Sequence, residues 1–253
     1  MAIRMEGFSG KVAIVSGASE GIGYAIAAAL VENGAKVLLV ARREALLRRA
    51  AETLGPNTAW ISIDLTAEGA AQEIVERAVS TFGGIDFLVN NAGVNLLGTL
   101  ESTSLTDMRR MAELNLFTPW LLAQAALPHL SQRPGAAVLN VSTAGSRKAT
   151  LGEGFYGATK AGLNYLTKLW ALELAGCGIR VNAISPGGTD TPQFNKAAAM
   201  IEGAREMVME AHLIKRIAAP EELLGAALLL LSPVAGSFMT GSLIDVDGGY
   251  HVT

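Results

Sequence analysis

The chain predicts an α/β fold in which a parallel sheet is buried on both faces by helices, and three observations carry that prediction. Half of the residues are hydrophobic and only 17% are charged, a balance that suits strands covered on both sides. Short apolar, β-branched runs alternate with longer helical patterns along the chain. Most of those runs end in a glycine-rich or short polar cluster; in a parallel sheet such ends share one edge, where ligands bind. The 253 residues show no linker, internal repeat or low-complexity stretch, so residues 1–253 are expected to form one domain.

The first strand is Lys11 to Ser16, and Gly17-Ala18-Ser19-Glu20-Gly21-Ile22-Gly23 follows it before an alanine-rich helical pattern from Tyr24 to Glu32. A glycine turn between strand and helix lets backbone N–H groups approach a pyrophosphate without Cβ interference; a purely structural tight turn is the competing reading. Lys36 to Ala41 is the second strand. It ends in Arg42 and Arg43, where an NAD site usually offers a carboxylate to the ribose; two arginines suit a 2′-phosphate. NADP(H) is therefore expected, with NAD(H) as the alternative, because Glu20 in the glycine turn opposes a phosphate and because the arginines can simply solvate the helix from Glu44 to Leu54. The third strand, Trp60 to Ile63, ends at Asp64-Leu65. Asp64 can accept a hydrogen bond from an adenine amino group or cap a helix that begins after Thr66 and runs to about Phe82.

Ile85 to Val89 is the fourth strand, running into Asn90-Asn91-Ala92-Gly93, a loop suited to a strand's carboxyl end. A long helix from about Leu105 to Leu130 carries Asn115, which either packs as a satisfied polar residue or bends the helix. Pro119, four residues on, cannot donate an N–H to the Asn115 carbonyl. Ala136 to Val141 is the fifth strand, ending at Ser142-Thr143. The next helix sets Tyr156 and Lys160 one turn apart on a shared face. A cation near a phenol lowers its pKa from about 10 and equips it for acid-base work; an ordinary amphipathic surface is the bland reading of the same pair. After the strand Ile179 to Ile184 comes the turn Ser185-Pro186-Gly187-Gly188-Thr189-Asp190-Thr191-Pro192, whose hydroxyls suit a nicotinamide carboxamide. A helical stretch from Gln193 to Leu213 follows, and residues 190–215 are expected to form a substrate lid. Met200, Met207 and Met209 either line that lid or belong to ordinary core. Pro220 to Leu231 is the last helix and Ser242 to Val246 the last strand, leading to Asp247-Gly248-Gly249.

From Lys11 to Gly249 the chain resembles the short-chain dehydrogenase/reductase family, including its 3-oxoacyl-carrier-protein reductase-like and tropinone reductase-like members. Gly17, Gly21 and Gly23 stand at the family's cofactor glycines, with Ser16 in place of the commoner threonine. Asn90-Asn91-Ala92-Gly93 matches the Asn-Asn-Ala-Gly signature, Asn115, Tyr156 and Lys160 match the catalytic positions, and Pro186-Gly187 and Asp247-Gly248-Gly249 also match. The family's serine lies thirteen residues before its tyrosine. That count lands on Thr143, while the Ser-x-x-Gly pattern begins at Ser142; spacing favours Thr143, and Ser142 stands beside it as a candidate. Thr118 occupies a position near which many relatives carry glycine.

The resemblance implies a Rossmann fold with a doubly wound, seven-stranded parallel sheet. The cofactor would lie on Gly17, Ser19, Glu20, Gly21, Ile22, Gly23, Arg42, Arg43, Asp64, Leu65, Asn91, Ala92, Gly93, Tyr156, Lys160, Pro186, Gly187, Thr189 and Thr191. It further implies hydride transfer between NADP(H) and a small-molecule carbonyl or secondary alcohol. Tyr156 would be the general acid-base, Lys160 would lower its pKa and hold the ribose, Thr143 or Ser142 would bind the substrate oxygen, and Asn115 would hold a relay water. A homotetramer or homodimer built partly from the helices of Asn115 and Tyr156 is implied as well. The alternatives are a 3-oxoacyl-carrier-protein reductase, for which Arg133, Arg147 and Lys148 would dock the acidic carrier, and a catalytically silent NADP-binding regulator. A net charge of −3 without a basic run longer than a pair argues against nucleic acid. The apolar stretch Ala226 to Leu231 is too short to cross a membrane, and a cytoplasmic protein is expected. One cysteine, Cys177, and the scattered His129, His212 and His251 offer no metal-ligand spacing.

Overall fold

The computed structural model describes residues 3–253. Seven parallel strands form one sheet in the order β3-β2-β1-β4-β5-β6-β7. They are β1 (Val12–Ser16), β2 (Lys36–Ala41), β3 (Thr58–Ser62), β4 (Phe87–Asn90), β5 (Ala137–Val141), β6 (Arg180–Pro186) and β7 (Leu243–Val246). Side chains alternate across the pleat. Ala13 and Val15 therefore enter one apolar layer, beneath α1 (Gly21–Glu32), α2 (Glu44–Leu54) and α9 (Leu224–Leu231). Ile14 enters the other, beneath α3 (Ala70–Phe82), α5 (Thr118–Leu130) and α6 (Gly154–Leu174). Burial on both faces explains the unbroken apolar strand runs.

Several boundaries differ from the sequence reading, and three of them have a clear local cause. β3 begins at Thr58, because Val37 N–H bonds to Asn57 O and draws the preceding residues into register with β2. The long helix is α4 (Leu105–Ala112) and α5 joined through a π turn, Glu113–Phe117. Pro119 withholds the N–H an α turn would send to Asn115, and Thr118 N–H instead reaches Glu113 O, five residues back. The stretch from Gln193 to Leu213 is two helices, α7 (Pro192–Ala198) and α8 (Ala204–Ala211). The chain reverses between them at Gly203, whose φ of 72° lies in the left-handed region.

The strand order reverses between β1 and β4, which opens a crevice at their carboxyl ends. Ser16 Oγ accepts from the N–H groups of Asn91 and Ala92, each at 3.0 Å, and Asn91 Nδ2 donates to Ser16 O at 2.9 Å. These bonds lock the glycine turn after β1 to the loop after β4.

Candidate active site

The glycine turn is a cradle that side chains would fill. Gly17 has φ 66°, and a Cβ on Gly23 would lie 2.4 Å from both Gly17 O and Asn91 Nδ2. Glu20, the residue before α1, makes no side-chain bond to the first turn of that helix, leaving its N–H groups for an anion. A Cβ on Gly21 would meet the Thr191 methyl at 3.3 Å, so the turn after β6 packs onto the glycine turn. Ser19 and Ile22 complete the cradle; Ile22 also packs on the core. These features fit a dinucleotide pyrophosphate.

Arg43 and Glu20 form an ion pair at 2.5 Å, and Arg43 also reaches Ser19 Oγ at 3.4 Å. Glu20 is thereby neutralised by one arginine, while Arg42 makes no ion pair among the described residues. Asp64 is exposed and its Oδ1 accepts from Thr66 N–H and Thr66 Oγ1, at 3.0 and 2.8 Å. The Thr66 backbone bond is the main cause that holds its carboxyl below the usual carboxylate range. It closes a local turn and does not cap α3, which starts at Ala70 after Gly69; the capping alternative is corrected. Buried Leu65 offers its carbonyl to Thr118 Oγ1 at 3.2 Å, which ties the helix of Asn115 to the loop after β3.

On the β6 side, Gly187 N–H bonds to Val246 O, and Thr189 Oγ1 donates to Gly187 O at 3.0 Å. Thr191 Oγ1 caps α7 by accepting from Phe194 N–H at 3.1 Å. Pro186 ends β6 beside them. Buried His212 Nε2 accepts from Gly188 N–H at 3.0 Å, so the end of α8 is anchored to this turn. Met200 and Met207 are exposed rather than core, and Met209 is partly exposed.

Asn115 is fully buried. Its Oδ1 accepts from Val94 N–H at 2.9 Å, and its Nδ2 donates to Val94 O and to Thr159 Oγ1, each at 3.0 Å. It is therefore both a satisfied polar residue and the centre of the π turn. Lys160 is buried, with Nζ donating to Val141 O at 2.8 Å; burial pushes it down to about 8. A Cβ on Gly93 would lie 3.2 Å from both Lys160 Nζ and Asn115 Oδ1, so the two flank Gly93.

The phenol of Tyr156 departs from the expectation. Burial, and then the Glu153 carboxylate, push its pKa up, against the opposing pull of a hydrogen bond with the Thr143 side chain. The Lys160 ammonium, one turn along the same helix, is bonded to the Val141 carbonyl. The raised pKa keeps the tyrosine protonated. The two candidate hydroxyls also separate: Thr143 faces the phenol, whereas buried Ser142 Oγ is engaged by Ser146 Oγ at 3.3 Å and Lys160 O at 3.4 Å.

Glu153 and Asn95 belong to this site, and neither was anticipated. Asn95 Nδ2 donates to Glu153 Oε1 at 2.9 Å across 58 residues of sequence. Glu153, three residues before Tyr156, reads in the sequence as an ordinary acid at a helix start; no spacing links it to Asn95. The basic residues expected to dock a carrier protein are otherwise engaged. Arg133 Nη2 donates to Gly83 O at 2.6 Å, Arg147 pairs with Asp245, and Lys148 Nζ donates to Thr253 Oγ1 at 2.6 Å.

A crevice at the strand-order reversal, a glycine cradle and a tyrosine beside a lysine and a hydroxyl define a nicotinamide-dependent oxidoreductase acting between CH–OH and C=O. Residues 17–251 match the family model described as enoyl-(acyl carrier protein) reductase, and the chain belongs to the short-chain dehydrogenase/reductase family. It is similar to the cis-4-hydroxycyclohexanecarboxylate dehydrogenase of Sinomonas cyclohexanicum, with 36% identity over 97% of this chain and 98% of the relative. Among solved structures it is similar to the L-sorbose reductase of Gluconobacter frateurii complexed with NADPH and L-sorbose. The TM-score is 0.92, with 34% identity and 98% of each chain covered. The 3-ketoacyl-(acyl-carrier-protein) reductase of Brucella melitensis, complexed with NADH, has a TM-score of 0.89 and 32% identity over 96% of this chain and 99% of that one.

Proposed function

We propose that this chain is a single-domain, NADP(H)-preferring oxidoreductase that interconverts a small-molecule carbonyl and its secondary alcohol. The observation that carries the reading is the convergence of Tyr156, Thr143, Lys160 and Asn115 from α6, the loop after β5 and the π turn. Ser19, Gly21, Ile22 and Gly23 would hold the pyrophosphate, Asp64 and Leu65 the adenine side, and Asn91, Ala92, Gly93, Pro186, Gly187, Thr189 and Thr191 the nicotinamide half. Arg42 supports NADP(H), since Arg43 already neutralises the carboxylate that would oppose a 2′-phosphate. When bound, the cofactor supplies or accepts the hydride at the carbonyl carbon. Tyr156 gives its proton to the carbonyl oxygen, or takes it back in reverse. Thr143 would donate a hydrogen bond to that oxygen, Lys160 would hold the ribose hydroxyls of the bound cofactor, and Asn115 anchors the Val94 backbone beside them.

A carrier-protein substrate is less well supported, because Arg133, Arg147 and Lys148 are engaged within the chain. Exposed Phe117, Leu121, Tyr165 and Leu172 on the two central helices support a homodimer or homotetramer, and a cofactor of the cell interior supports a cytoplasmic location. The test is titration with NADPH and NADH, then NADPH oxidation over a panel of ketones, diketones, quinones and acyl thioesters. NADPH is expected to bind more tightly and at least one ketone to turn over. Tyr156→Phe is expected to lose about a hundredfold or more in kcat with cofactor affinity nearly intact. Unchanged turnover would exclude Tyr156 as the acid-base, and binding without turnover would favour a regulator.

A further inference from the structure

The Glu153 carboxylate has a placement that the reaction alone does not require. It stands at the start of α6, one turn before the catalytic phenol, and is half-buried. Asn95, from the loop after β4, holds only Oε1. The two loops are further joined by Gly98 N–H to Gly152 O at 2.8 Å, so the pair is fixed in place. Oε2 takes no hydrogen bond or ion pair among the described residues; it packs against Gly145, where a Cβ would lie only 2.8 Å from it. Asn95 Oδ1 is a second acceptor without a partner. Glu153 is only half-buried and Oε2 keeps a path to solvent, so a donor on a ligand can take the place of water there; burial pushes this carboxyl up.

Resting on the oxidoreductase reading above, we propose that Glu153 is a specificity-determining residue: it accepts a hydrogen bond from a hydroxyl near the reacting carbon and rejects ligands that carry a carboxylate. A hydroxyl donates to Oε2 and satisfies it, whereas a ligand carboxylate places like charges together. The Lys160 ammonium shares the site and counts against a cationic ligand.

The test is titration calorimetry of the full chain with NADP+, in which a ketone cannot be reduced. The probes are 2-hydroxy-2-methylcyclohexanone, whose tertiary hydroxyl cannot give up a hydride, 2-methylcyclohexanone, 4-oxocyclohexanecarboxylate and the cationic ketone 3-quinuclidinone. The hydroxyketone is expected to bind about tenfold or more tightly than 2-methylcyclohexanone, and Glu153→Leu to reduce that preference to within about threefold. Glu153→Gln, which keeps an oxygen for Asn95, is expected to raise affinity for the carboxylate probe about tenfold and covers the case in which the leucine variant fails to fold. Equal binding of hydroxylated and plain ketones overturns the proposal. So does a preference that survives in Glu153→Leu, tightest binding of the cationic probe, or binding of none. A chain that shows the preference but oxidises no NADPH with any ketone would refute the oxidoreductase reading, and with it the role in a reaction, while leaving Glu153 as the residue that selects a hydroxylated ligand.

Discussion

Tyr156 and Lys160 sit one helical turn apart, yet different neighbours govern them. The phenol answers to burial, Glu153 and Thr143, while the ammonium is spent on the Val141 carbonyl. Burial disfavours the charged lysine and lowers its pKa to about 8. An anionic cofactor beside it favours the charged form, so binding raises that pKa and, above pH 8, takes up a proton. NADPH affinity is therefore expected to be flat below about pH 8 and to fall above it by up to about tenfold per pH unit, until the raised pKa is reached. Fluorescence titration at a series of pH values measures this. Lys160→Met is expected to bind more weakly and to lose this lysine-dependent fall; an undiminished slope would assign the proton elsewhere.

At the scale of elements, the site depends on helices and turns pinned by unusual polar contacts. Buried Arg180, at the start of β6, sends its guanidinium to the carboxyl end of α9. Nη1 donates to Leu230 O and Gly236 O at 2.7 and 2.9 Å, and Nη2 donates to Leu231 O and Ser232 O at 2.9 and 3.2 Å. A cation at a helix carboxyl terminus meets the negative end of the dipole; here it caps Leu230 O and Leu231 O, while Ser232 O and Gly236 O also accept from Gly236 N–H and Met239 N–H. Burial lowers its pKa, and the carbonyls repay that cost. Arg180→Met would strand Leu230 O and Leu231 O in the core. A loss of about 2–4 kcal/mol in unfolding free energy is expected from urea denaturation; a change near zero would mean that water replaces the guanidinium. The chain terminus is a second tether. Thr150 Oγ1 and the Tyr250 hydroxyl lie 2.6 Å apart, and the Lys148 ammonium stands 4.6 Å from the Tyr250 ring centre. These contacts hold the loop that carries Thr143 and Glu153.

For the molecule as a whole, the outer surface of the central helices is unusually apolar. Tyr165 and Leu172, seven residues apart on α6, are 67% and 78% exposed, and Phe117 and Leu121 are 52% and 48% exposed. The first two share one helix face, and an apolar patch of this kind marks an association surface. The wild-type chain is expected to run as a dimer or tetramer in light scattering, and Tyr165→Glu combined with Leu172→Glu to shift the mass by a factor of about two or more with circular dichroism unchanged. A monomeric wild type would leave this face without a self-association role. Since α6 also carries Tyr156 and Lys160, assembly on this face would stiffen the helix on which the chemistry stands.

Local order along the chain was enough to read the seven strands, the glycine cradle, the Asn-Asn-Ala-Gly loop and the positions of Asn115, Tyr156 and Lys160. Each is written in contiguous residues: β-branched runs, a turn that demands glycine, a helical spacing of four. The boundary errors were local competitions that the register with β2, Pro119 and Gly203 decided. Contacts between distant segments were beyond that reading. The pairing of Arg43 with Glu20, the commitment of Lys160 to Val141 and the meeting of Glu153 with Asn95 leave no periodic trace, whereas the spacing to Tyr156 already favours Thr143 over Ser142. Hydrogen bonds and charges act through space at about 3 Å, and only the parallel sheet, which gathers the ends of β1, β4, β5 and β6 onto one edge, brings those partners within that reach.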